Sequence, residues 1–147
     1  MVSYKTDFYD NEPQFLAYAE EYMKRYDAEL GFIKAFYCDL YAVVKDSTRI
    51  LTVVAELDWL PEQIEQMKSY IRALLSEYRQ EETGILLTIS LAEEIDSVTD
   101  ILGSLETITK GICNGDRMIV GLYTDKGLWR NRAKVRTVIG GLPAQTV

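Results

Sequence analysis

Four short apolar runs, and what lies between them, constrain the fold most. ILTVVAEL (50–57), ILLTIS (85–90), MIVGLYT (118–124) and KVRTVIG (134–140) are too short for globular helices. Their β-branched content suits buried strands. The first gap opens at Pro61 and carries Ile64, Met67, Ile71, Leu74, Leu75 and Tyr78 at helical spacing, with Glu65 and Lys68 expected to point to water. The second carries Ile95, Val98, Leu102, Leu105, Ile108 and Ile112, which predict a helix from about Glu93 to Gly111, before an Asn114-Gly115 turn. The third gap, Lys126 to Arg132, is only a loop. Strands joined through helices predict parallel neighbours with right-handed crossovers, and the short loop predicts that the last two strands are antiparallel. The fold class is α+β: a mixed four-stranded sheet packed with helices, a β-α-β-α-β-β core over residues 50–142.

Upstream, residues 1–12 lack a clean period and predict an irregular arm. Residues 13–46 predict two N-terminal helices. Phe15, Ala19, Tyr22, Met23 and Tyr26 form the stripe of the first, with Asn11 as its cap and Pro13 in its first turn. The segment from Gly31 to Leu57 reads two ways: a hairpin turning at 45–48, or a helix from about 35 to 46 followed by a strand. Phe36, Tyr37, Leu40, Tyr41 and Val44 sustain the helical spacing longer, which favours the helix. No repeat or linker interrupts the 147 residues, and one domain is expected over 1–147.

Composition removes several chemistries. The chain has no histidine, which excludes Ser-His-Asp and Cys-His catalysis and imidazole-bound zinc. A net charge of −7 argues against nucleic acid and anionic membranes as partners. Two cysteines, Cys38 and Cys113, sit among apolar neighbours and read as reduced, buried thiols of a cytoplasmic protein. No secretory leader is expected, and no apolar run approaches the ~20 residues that span a bilayer. Neither GxGxxG nor GxxxxGK[ST] occurs. The carboxylates at Glu81-Glu82, Glu93-Glu94-Asp96 and Glu56-Asp58 suit solvated faces and helix starts better than a metal or catalytic site. No cofactor, no metal and no enzymatic activity are expected.

Charge is unevenly placed. Residues 1–125 carry a net −12, whereas 126–147 hold five basic residues and no acidic one. Lys126, Arg130 and Arg132 flank Trp129 in the last loop, and Lys134 and Arg136 share a face of the last strand. This basic tongue is a candidate docking surface for an acidic partner, including a second copy of the chain. Basic residues also shield edge strands from aggregation. Trp129 either folds back over the sheet edge or stands out as an anchor.

GILLTIS (84–90), DRMIVGLYTD (116–125) and KVRTVIGG (134–141) together resemble the C-terminal domain of FtsZ and its tubulin relatives. Gly84, Ile89, Gly121, Asp125, Val135, Arg136, Val138 and Ile139 match that pattern, although the family's Ala-Thr-Gly strand ending reads Gly140-Gly141 here. Residues 32–57 are similar to the family's synergy loop, next helix and first strand, and 13–26 to part of its central helix. The resemblance implies a domain that self-assembles or docks on a filament-forming relative in cell division. The GGGTGTG phosphate loop is not found in this sequence, so the resemblance implies no GTP binding. The family's Asn-x-Asp-x-x-Asp in the synergy loop reads Lys34, Phe36 and Asp39, which keeps a single carboxylate, Asp39, to face a partner's nucleotide. The alternative is a small-molecule-binding or enzymatic α/β domain using carboxylates at a subunit interface.

Overall fold

A computed structural model describes residues 2–19, 30–33, 37–45, 47–76, 84–92 and 118–142. Within them the chain forms β1 (Ser3–Tyr9), α1 (12–19), β2 (Leu30–Ile33), α2 (Tyr37–Val44), β3 (Arg49–Asp58), α3 (Pro61–Leu75), β4 (Gly84–Leu91), β5 (Met118–Thr124) and β6 (Arg132–Leu142). The α+β class and the four strands read from the apolar runs are present, as is the preferred helix ahead of β3. The predicted helix at 93–111, with Cys113, lies outside the described residues.

The sheet has six strands, in the order β1-β3-β6-β4-β5-β2. Two strands therefore join the expected four. β1 replaces the irregular arm and pairs antiparallel with β3 along its whole length, from Ser3↔Glu56 to Tyr9↔Ile50. Short β2 pairs antiparallel with β5 at the opposite edge. β4 and β5 are parallel, as expected of strands joined by a crossover. β5 and β6 run in opposite senses but are not neighbours. β6 inserts between β3 and β4 and pairs antiparallel with both. Its composition explains the position: Val135 to Gly140 is buried without a break, which only a strand covered on both faces and flanked on both sides sustains.

One sheet face gathers Leu51, Val53, Leu57, Val135, Ile139, Ile85, Leu87, Ile89 and Leu122 against Ile64, Met67, Ile71 and Leu75 of α3. The other packs Ile50, Leu86, Val138 and Tyr123 against Phe15 and Ala19 of α1 and Leu40, Val43 and Val44 of α2. Lys68 departs from the expected solvent face of α3. It is only 5% exposed and its ammonium bonds Glu65 at 2.9 Å, so its stem packs down while its charge stays paired. That bond lowers the pKa of the Glu65 carboxyl. Tyr4 of β1 stacks on Tyr70 of α3 with ring centroids 3.8 Å apart, and the Tyr70 hydroxyl lies 3.0 Å from Thr6 Oγ1.

Gly140 is dictated by packing. A Cβ there would land on the carbonyl oxygen of Val43 in α2 and reach within 3.0 Å of Ser47 Oγ. Gly141, at φ 77°, donates its N–H to the same Ser47 hydroxyl at 2.9 Å. The β3–β6 register slips there, between Leu51↔Ile139 and Arg49↔Leu142, a bulge that lets α2 settle onto β6.

Candidate functional site

The loop joining β5 to β6 is built from two turns. In the first, Asp125 Oδ1 accepts the N–H of Gly127 at 2.8 Å, and its carbonyl accepts Leu128 N at 3.3 Å. In the second, Arg132 N donates to Trp129 O at 3.0 Å across Asn131, which holds a left-handed φ of 56°. The carbonyl of Asn131 accepts Trp59 N at 2.7 Å, which ties the loop to the β3–α3 turn. Hydrogen bonds from Asp125 N to Leu91 O and from Ala92 N to Arg132 O pin both of its ends to β4. The loop is thus a braced element rather than a loose one.

Trp129 stands between the two turns and is 78% exposed. It does not fold back over the sheet. The β3–α3 turn adds Leu60, 50% exposed, at the same end of the sheet. Lys126 and Arg130 are exposed, and neither forms an ion pair among the described residues. The surface is an indole with two exposed cations on a fixed backbone.

The rest of the basic tongue is engaged elsewhere. Arg132, Lys134 and Arg136 project from one face of β6, where the register sets them opposite Asp58, Glu56 and Val54 of β3. Arg132 Nη1 lies 3.3 Å from Asp58 Oδ1, and Lys134 Nζ 3.4 Å from Glu56 Oε1. Arg136 is 5% exposed. Shielding of an edge does not apply, because β6 has a neighbour on each side. Glu56 and Asp58, expected to lie on a solvated face, are ion-pair partners. Asp58 is doubly held, since Gln63 Nε2 donates to its Oδ2 at 3.2 Å while Gln63 Oε1 accepts its backbone N–H at 2.7 Å. Sequence reasoning missed this ladder, although acidic residues two apart in one strand and basic residues two apart in another were the signal.

Asp39 lies in the first turn of α2, where a carboxylate favours the helix dipole. α2 seats on the Gly140 end of β6, eight residues from Arg132. Strand and helix rises then put Asp39 roughly 20 Å or more from the loop, so the two candidates are separate. Lys34 and Phe36 lie outside the described residues, as do Glu81, Glu82, Glu93, Glu94 and Asp96. Among the described residues no three carboxylates or thiols gather as metal ligands, and no helix is long and apolar enough to cross a membrane.

The order β1-β3-β6-β4-β5-β2 can be compared with solved folds. A structure of an FtsZ dimer from M. jannaschii matches with a TM-score of 0.56 and 21% identity, over 87% of this chain and 37% of that one. A W319Y mutant of FtsZ from the same organism matches with a TM-score of 0.58 and 20% identity, over 88% of this chain and 39% of that one. The fold is FtsZ-like. The chain spans less than two fifths of the FtsZ chains it matches, in keeping with a portion like the C-terminal domain. No protein-family model and no curated protein matches the sequence.

Proposed function

We propose that this chain is a non-enzymatic protein-interaction domain of the cytoplasm. It docks through the 126–130 loop on an acidic surface, either of a filament-forming FtsZ relative or of a second copy of itself. The observation that carries the reading is Trp129: a large aromatic ring held 78% exposed on a backbone braced by hydrogen bonds, between two exposed cations. Exposed rings of this kind bury well against a partner at small entropic cost, and flanking cations speed and orient the encounter. Asp39 belongs to a different surface in this reading and acts at the start of α2. The FtsZ-like fold supports assembly as the role.

The test is co-sedimentation with FtsZ polymer, beside light scattering of the chain alone, for wild type, Trp129→Ala and Arg130→Glu. Binding or self-association that weakens in both variants and at high salt supports the reading. Wild type that neither pellets with polymer nor changes mass overturns it. Calorimetric titration with GTP should give no heat of binding, and micromolar binding would contradict the non-enzymatic assignment.

A further inference from the structure

The other surface that asks for a partner is the outer edge of β1. Among the described residues β1 has β3 on one side and no strand on the other, so every second residue of its seven turns unpaired backbone N–H and C=O groups outward. Long edges are usually blunted by proline, by a bulge, by charged side chains or by a covering helix or loop. β1 has no proline, pairs with β3 without a register shift, and carries one cation, Lys5, and one anion, Asp7, both exposed. These flank Thr6 symmetrically.

We infer that β1 pairs antiparallel with β1 of a second copy of this chain, centred on Thr6, to make one continuous twelve-stranded sheet. The sequence picks the register. A two-fold axis normal to the sheet brings together residues that project from the same face. Centred on Thr6, Lys5 then faces Asp7 of the other copy twice over. Tyr4 faces Phe8 on the opposite side of the sheet, and Ser3 faces Tyr9. Shifting the centre by one residue sets Lys5 against Lys5 or Asp7 against Asp7, and shortens the overlap. Each opposed pair has two residues of like parity, so the outward N–H and C=O groups of one strand meet those of the other. Phe8 is 43% exposed, with the Arg49 guanidinium stacked 3.8 Å from its ring centroid, and the opposing Tyr4 would cover it. This pairing does not rest on the Trp129 loop, which lies beyond β3 and β6 from this edge.

Surface charge swaps test it by sedimentation equilibrium at low salt. Lys5→Asp alone and Asp7→Lys alone each place like charges opposite and should weaken the dimer about tenfold. The double swap Lys5→Asp with Asp7→Lys should restore it to within about threefold of wild type. A mixture of the two single variants should form a heterodimer, because one chain then presents two anions and the other two cations. Arg130→Glu should leave this dimer unchanged, which separates it from assembly through the loop. A monomeric wild type, a dimer indifferent to the single swaps, or a double swap no tighter than the singles would each overturn the pairing.

Discussion

At the scale of single residues, two glycines and a tyrosine show how closely the chain is fitted. Gly140→Ala pushes a methyl into the backbone of α2, and overpacking of this kind costs about 1–3 kcal/mol. Gly141→Ala forces an alanine into the left-handed φ and should cost about 1 kcal/mol. Urea denaturation of both variants checks the order, and equal losses would place the strain in the bulge rather than under α2. Tyr4 makes the opposite case. Its hydroxyl is sealed from solvent with no hydrogen-bond partner among the described residues, and burial, helped by Tyr70, raises its pKa above the ordinary 10.0. Tyr9 is raised as well, by burial and then by Tyr18 and Asp7. The folded chain thus holds phenolic protons to higher pH than the unfolded one. The stability this provides is complete below pH 10.0 and is lost as pH rises through the folded values. Tyr4→Phe should match wild type at neutral pH or exceed it by up to about 1 kcal/mol. It should also lose stability less steeply above pH 10.0, leaving the share due to Tyr9. Chemical denaturation from pH 8 to 11 measures both.

Elements set the charge ladder. Because Asp58 holds Gln63 as well as Arg132, Asp58→Ala should cost about 1 kcal/mol, more than Arg132→Ala. Their double-mutant cycle should give a coupling of about 0.5 kcal/mol that fades with salt, as for other half-exposed pairs. An arginine truncation as costly as the aspartate truncation would break this assignment. The ladder also marks where sequence reading stops. β3, α3 and α2 were legible because each has one dominant period. β1 was not, although Tyr4, Thr6 and Phe8 alternate with Ser3, Lys5 and Asp7. An edge strand half-exposed on both faces mixes polar and aromatic residues on each, and blurs the apolar alternation. The neighbours of β6 were illegible in the loop that precedes it, since loop length constrains direction and not adjacency. Its unbroken apolar run was the better guide. Of the seven candidate residues, Lys126, Trp129 and Arg130 keep the exposure a docking surface needs. Arg132, Lys134 and Arg136 owe their surroundings to a register no single segment encodes.

Across the whole molecule, the two tryptophans report on different environments. Trp59 is half-buried against the core and Trp129 is open, so iodide should quench the second and spare the first. Partner binding at the loop should remove that sensitivity, while Trp129→Ala should change stability by no more than about 0.5 kcal/mol. A quenching profile unchanged by a saturating partner would move the contact elsewhere. The position of β6 governs something else, the order in time in which the sheet can exist. β3 and β4 meet only through β6, the last of the described strands to be synthesised, and the Asp58–Arg132 contact spans 74 residues. Until that strand arrives, the nascent chain holds two separate open-sided pieces, each with a buried-type strand exposed along its length. Closure comes late and all at once, by threading one strand between two that are waiting. Such long-range pairing folds slowly, and while it is pending the half-made sheet is a target for chaperones and for other copies of itself.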